Sequence, residues 1–178
     1  MDLAEFEKYL RDHNVDSSEA SHTLREWWMN GEIAAEDFKR LLPMAWIMTD
    51  RPLAGVGTRQ WVEMFKSTGF VTDNEWSTPP TEPLTLYRGH GLGRMRGLAW
   101  TNNRNIALRF ARRHIQSTGQ PGFLSAARVP PHAVLAMLAN RTESEFVVNP
   151  NCLRGAASPQ IIEIVSSEDH LSEPIGGG

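Results

Sequence analysis

Cysteine is almost missing from this 178-residue chain, and the single Cys152 excludes an intramolecular disulfide. The six histidines (13, 22, 90, 114, 132 and 170) are scattered and no Cys/His cluster has zinc spacing, so no metal site is expected. No apolar run approaches the ~18 residues that a membrane-spanning helix needs. The N-terminus, Met1-Asp2-Leu3-Ala4-Glu5, is acidic and carries no apolar signal-peptide core. These absences predict a protein of a reducing, cytoplasmic compartment with no membrane partner.

A second kind of absence is local. Between residues 83 and 142 there is no Asp, Glu or Lys, while nine Arg occur at 88, 94, 96, 104, 109, 112, 113, 128 and 141. That stretch carries +9, residues 1–82 carry −7 and residues 143–178 carry −5, so the overall −3 conceals a strongly basic middle third. Such a third either attracts anions or neutralises the acidic flanks. With 40% hydrophobic and 22% charged residues the chain can bury a core, and its length suits one domain with a small appended module.

Residues 1–80 predict a helical N-terminal domain. Leu3, Phe6 and Leu10 repeat with helical spacing, and Asp16-Ser17-Ser18-Glu19 has capping-box spacing ahead of Ala20, Leu24, Trp27 and Trp28. Asn30-Gly31 ends that helix. A third is expected over roughly 34–42 until Pro43 interrupts it, and a fourth from a Thr58 cap to Gly69, with Trp61, Met64 and Phe65 on one face. Five of the six Trp precede residue 77 and are read as core.

Residues 72–83, with three Pro and several turn formers, predict a linker. Beyond it the pattern is of short strands: Leu84–Arg88, Gly97–Thr101, Phe123–Val129, Ala133–Leu138, Glu145–Val148 and Ile161–Val165. One helix interrupts them, capped by Asn102 or Asn103, with Ala107, Phe110, Ala111 and His114 expected on its inner face.

Three features of this second part point to chemistry. Arg88 ends an apolar strand, where a guanidinium is costly unless an anion or carboxylate meets it; the alternative is an Arg facing water. The turn Gly89-His90-Gly91-Leu92-Gly93 fails the Rossmann spacing and is followed by a strand, which leaves turn chemistry as the default. In Glu143-Ser144-Glu145, two carboxylates at i and i+2 point the same way if the chain is extended, in a polar cleft or on a solvated edge.

In order and spacing, Tyr87-Arg88-Gly89, then Ala99-Trp100-Thr101 with Ala107-x-x-Phe110-Ala111, then Glu143-x-Glu145-Phe-Val-Val-Asn-Pro resemble the mono-ADP-ribosyltransferase family, in its Arg–Ser/Thr–Glu branch. The resemblance spans about residues 83–166, and Ala99-Trp100-Thr101 departs from the family's Ser-Thr-Ser by keeping only the last hydroxyl. It implies an α+β fold: a split β-sheet catalytic core over residues 81–178, behind the helical domain of residues 1–80. It also implies NAD+ as the ADP-ribosyl donor, with no metal.

Carried over by the resemblance, Arg88 holds the NAD phosphate or adjoining ribose, and Gly89 lets backbone approach the nicotinamide amide. Thr101 orients Glu145 and the ribose. Glu145 binds the ribose 2′-OH and stabilises the developing cation, and Glu143 aligns or deprotonates the acceptor. His90 and Trp100 are pocket-wall candidates. The implied activity is transfer of ADP-ribose to a macromolecule, with a protein arginine favoured and a nucleic acid open as acceptor. The alternatives are an NAD+ glycohydrolase and a degenerate transferase fold that binds nucleic acid or protein. A monomer acting inside a bacterial or phage-infected cell, as toxin, phage factor or regulator, is the expected setting.

Overall fold

In the computed structural model, residues 3–16, 19–49, 56–72, 78–138 and 144–166 are described. The chain divides into two compact units, Met1–Ser77 and Thr78–Gly178, and is mixed α+β. No helix among the described residues is long and apolar enough to cross a membrane.

The first unit holds α1 (Leu3–Asp12), α2 (Ala20–Asn30), α3 (Ala35–Met48), α4 (Thr58–Thr68) and a two-residue strand β1 (Val71–Thr72). Ahead of α2 the Asp16 carboxylate accepts the Glu19 N–H at 3.1 Å, and Gly31, at φ +73°, closes the helix by donating to the Trp27 and Trp28 carbonyls. Phe6, Leu24, Phe38, Leu41, Leu42, Trp46, Trp61 and Phe65 form the core. Trp46 meets Trp61 and Phe65 edge-on at centroid separations of 4.9 and 5.8 Å, which makes core of two of the five tryptophans; Trp27 and Trp28 are half-buried, and Trp76 lies outside the described residues.

Two expectations for this unit are corrected. Pro43 does not end α3: the helix runs on to Met48 with Pro43 buried inside it. An internal Pro costs about 3 kcal/mol, and each large apolar side chain buried returns roughly 1.5–3 kcal/mol. Stopping at Pro43 would forfeit the burial of Ala45 and Trp46, so packing overrides the local penalty. Thr58 is not the cap of α4 but its first helical residue; Gly57 occupies the cap position with no side chain to offer.

The second unit contains β2 (Leu84–His90), β3 (Ala99–Thr101), α5 (Arg104–Thr118), β4 (Gly122–Val129), β5 (Val134–Leu138), β6 (Glu145–Val148) and β7 (Gln160–Val165). Its strands lie in the order β5-β6-β3-β2-β4-β7, and each of these pairings is antiparallel. β2 bonds β4 along its whole length, from Leu84↔Val129 to His90↔Phe123, whereas on its other side it meets β3 at the single partner pair Tyr87↔Thr101.

Helix α5 starts at Asn103, whose side-chain oxygen accepts the N–H of Asn105 at 2.9 Å and of Ile106 at 3.4 Å. It buries Ile106, Ala107, Leu108, Ala111 and Ile115, but Phe110 stays 39% exposed, against the expected inner face. The reason lies in the sheet beneath. A Cβ on Gly89 would collide with the backbone of Ala107 and Ala111, and one on Gly122 with the Ala111 backbone. The helix axis comes so close that only alanine fits between backbone and backbone, and the ring of Phe110 is turned outward.

Candidate functional site

The topology brings Arg88, Thr101 and Glu145 onto three neighbouring strands, with β3 between β2 and β6. Thr101 is the ladder partner of Tyr87 on one side and of Glu145 on the other. Partners directly opposite in an antiparallel ladder hold their Cβ atoms about 4.5–5.5 Å apart on one face. A buried hydroxyl therefore stands beside a half-buried carboxylate. The Thr101 Oγ1 also accepts the Asn103 N–H at 3.1 Å, which ties this position to the start of α5.

Arg88 is half-buried at the centre of the sheet. Its Nη1 donates to the Ala99 carbonyl at 2.5 Å and its Nε to the Arg94 carbonyl at 3.3 Å. The guanidinium lies flat against Gly97, where any side chain would strike it. Burial pushes the Arg88 pKa down to about 10; the Glu145 carboxylate opposes that fall and the nearby Arg94 adds to it. Arg88 thus keeps its charge at neutral pH and feels Glu145 across β3.

Glu145 opens β6 straight after Ser144, whose φ of +41° lies in the left-handed region. For a residue with a Cβ this backbone costs about 1–2 kcal/mol, the kind of local strain that functional segments retain. Glu143 lies outside the described residues.

At Gly89, which the resemblance makes the point of backbone approach to the nicotinamide amide, the place a side chain would take is filled by the backbone of Ala107 and Ala111, so helix packing already demands glycine there. His90 is buried. Its Nδ1 lies 2.8 Å from the Gly91 carbonyl, which can only accept, so Nδ1 carries the proton; Nε2 then accepts from the Ser125 hydroxyl at 2.8 Å. Burial lowers the His90 pKa, the Gly91 carbonyl opposes this, and the charges of Arg88 and His114 reinforce it. The ring stacks on Phe123 and forms one wall of a cavity of about 300 Å³, lined otherwise by Leu92, Gly93, Met95, Arg96 and Ile161. Trp100 is buried away from that lining, opposite Phe146 in the ladder, and its Nε1 donates to the Gly97 carbonyl at 2.8 Å.

Arg88, His90 and Trp100 therefore share a task that sequence reasoning missed: each bonds a carbonyl of the 91–98 turn or its edge. Gly97 and Ser125 belong to this arrangement as well. The signal for Ser125 was a lone hydroxyl in the apolar run Phe123–Ala127; for Gly97 there was none, since its reason is an arginine nine positions earlier. Chemically, a carboxylate opposite a hydroxyl and coupled to a fixed cation can bind a sugar hydroxyl and stabilise positive charge growing on the adjoining carbon. In comparisons with known proteins the chain matches no family model, no curated protein and no solved structure.

Proposed function

We propose that the chain is a mono-ADP-ribosyltransferase that uses NAD+ as donor substrate and a macromolecule, with a protein arginine favoured, as acceptor. The observation that carries the reading is the alignment of Glu145 with Thr101 across one ladder, with Glu145 acting electrostatically on the half-buried Arg88 two strands away. In this reading Glu145 holds the nicotinamide-ribose 2′-OH and faces the carbon where cationic character develops. Thr101 keeps that carboxylate oriented, and Arg88 meets the dinucleotide's negative charge. The bond from ribose C1′ to the nicotinamide nitrogen breaks, its electron pair leaving with nicotinamide. A nitrogen of the acceptor guanidinium then bonds to C1′, and its proton passes to Glu143.

The test is nicotinamide release from NAD+ by wild type and Glu145→Gln, with and without cell lysate. Wild type should release nicotinamide, faster with lysate, and Glu145→Gln should lose roughly 10²-fold or more while its circular dichroism is unchanged. Glu143→Gln should lose transfer more than hydrolysis; equal loss of both would remove its assigned role. Release indifferent to any lysate would make the chain a glycohydrolase.

A degenerate, non-catalytic fold is favoured by one observation. Two Arg88 donors are taken up by the Ala99 and Arg94 carbonyls, and Ala99 stands where the family has a hydroxyl. No release from folded wild type, with NAD+ left unbound, would favour it over the transferase.

A further inference from the structure

The proposed chemistry makes no use of the outer face of α5. That helix carries Arg104, Arg109, Arg112 and Arg113 and no acid. Arg104 reaches Glu163 of β7, whereas Arg109 and Arg113 are exposed and neither pairs with a carboxylate among the described residues. They stand at i and i+4, where like charges repel and destabilise a helix. Flanking this pair on the Arg113 side is the exposed ring of Phe110, with the Arg113 guanidinium 5.7 Å from its centroid. Two exposed guanidinium groups that pair with no carboxylate among the described residues, next to an exposed aromatic ring, make a face complementary to a flexible polyanion that also offers flat rings.

We propose that the outer face of α5, built from Arg109, Phe110 and Arg113, binds single-stranded nucleic acid. The guanidinium groups contact backbone phosphates in the bidentate manner that arginine allows and lysine does not. The Phe110 ring, backed by Arg113, offers a stacking platform to a base. This goes beyond the transferase reading and does not rest on it: binding requires neither NAD+ nor Glu145.

The experiment is fluorescence anisotropy of a labelled 15-nucleotide oligouridylate with the full chain across a series of salt concentrations. Variants are Arg109→Gln/Arg113→Gln and Phe110→Leu, each checked by thermal unfolding. Wild-type affinity should fall linearly on a log–log plot as salt rises. The double variant should bind roughly tenfold or more weakly at low salt, with a slope shallower by about 1.4, or about 0.7 for each phosphate no longer neutralised. Its melting temperature should be unchanged or higher, since a like-charge pair is removed. Phe110→Leu should weaken the single strand several-fold and a duplex of equal length hardly at all.

An unchanged affinity or slope in the folded double variant would overturn the site. A duplex preferred over the single strand, with no effect of Phe110→Leu, would overturn the stacking role. Polyglutamate competing as well as oligouridylate at equal charge would assign the face to an acidic protein and overturn the nucleic-acid reading. If nicotinamide release fails while this binding persists, only the transferase reading falls.

Discussion

At Gly97 the backbone has no room for a methyl group, because the Arg88 guanidinium lies against it. Arg88 in turn holds the Ala99 and Arg94 carbonyls, so these residues are fixed together. Gly97→Ala should displace the guanidinium and cost about 1–3 kcal/mol, read from the urea midpoint at constant m. Arg88→Lys should be destabilising too, because a single ammonium cannot span both carbonyls as the planar fork does. If Arg88 also meets NAD+, Gly97→Ala should weaken NAD+ binding measured by calorimetry, whereas an equally destabilising substitution in the first unit should not. At this scale the sequence showed Arg88 as an anomaly in an apolar strand, and Glu143 and Glu145 as the end of a long acid-free stretch. It could not show Gly97 or Ser125, since each is selected by a side chain on another strand or turn.

At the scale of elements, α5 depends on its cap and on two glycines. Asn103→Ala leaves the Asn105 and Ile106 N–H groups without their acceptor and should cost about 1 kcal/mol, while Asn103→Asp should keep most of the stability. Gly89→Ala should be far worse, because the added methyl meets helix backbone, which cannot rotate aside as a side chain can. Chemical denaturation followed by circular dichroism checks both. The strands from β2 to β7 and the caps at Asn103 and Gly31 were legible because alternation, turn residues and cap chemistry are local. Pro43 and Phe110 were misread for the complementary reason. The first sits in a helix held by Trp46 packing, and the second is turned out by an approach of α5 to Gly89 and Gly122 that no local pattern records.

For the molecule as a whole, one contribution to the pH dependence of stability comes from His90. Its folded pKa lies below the ordinary 6.5, so the unfolded chain takes up the proton first as pH falls. Stability from this group is fully present above the unfolded value and declines as pH drops below about 6.5. His90→Gln, which can still bond Ser125, should flatten the change in unfolding free energy between about pH 7 and pH 5, measured by urea titration at each pH. Unaltered pH dependence in that variant would show that His90 is not the group responsible.

What the sequence by itself determined was the succession of the main helices and strands, the helical character of the first part, and the absence of any acid or lysine from the arginine-rich middle third. These follow from composition and short-range periodicity, which each stretch of chain carries within itself. Only the tertiary structure decided that Thr101 stands opposite Glu145 in a shared ladder, that Gly89 answers to α5, and that Trp100 is turned inward to hold Gly97. Strand order and register depend on which distant faces bury one another, and that is a property of pairs of segments, written in neither one alone.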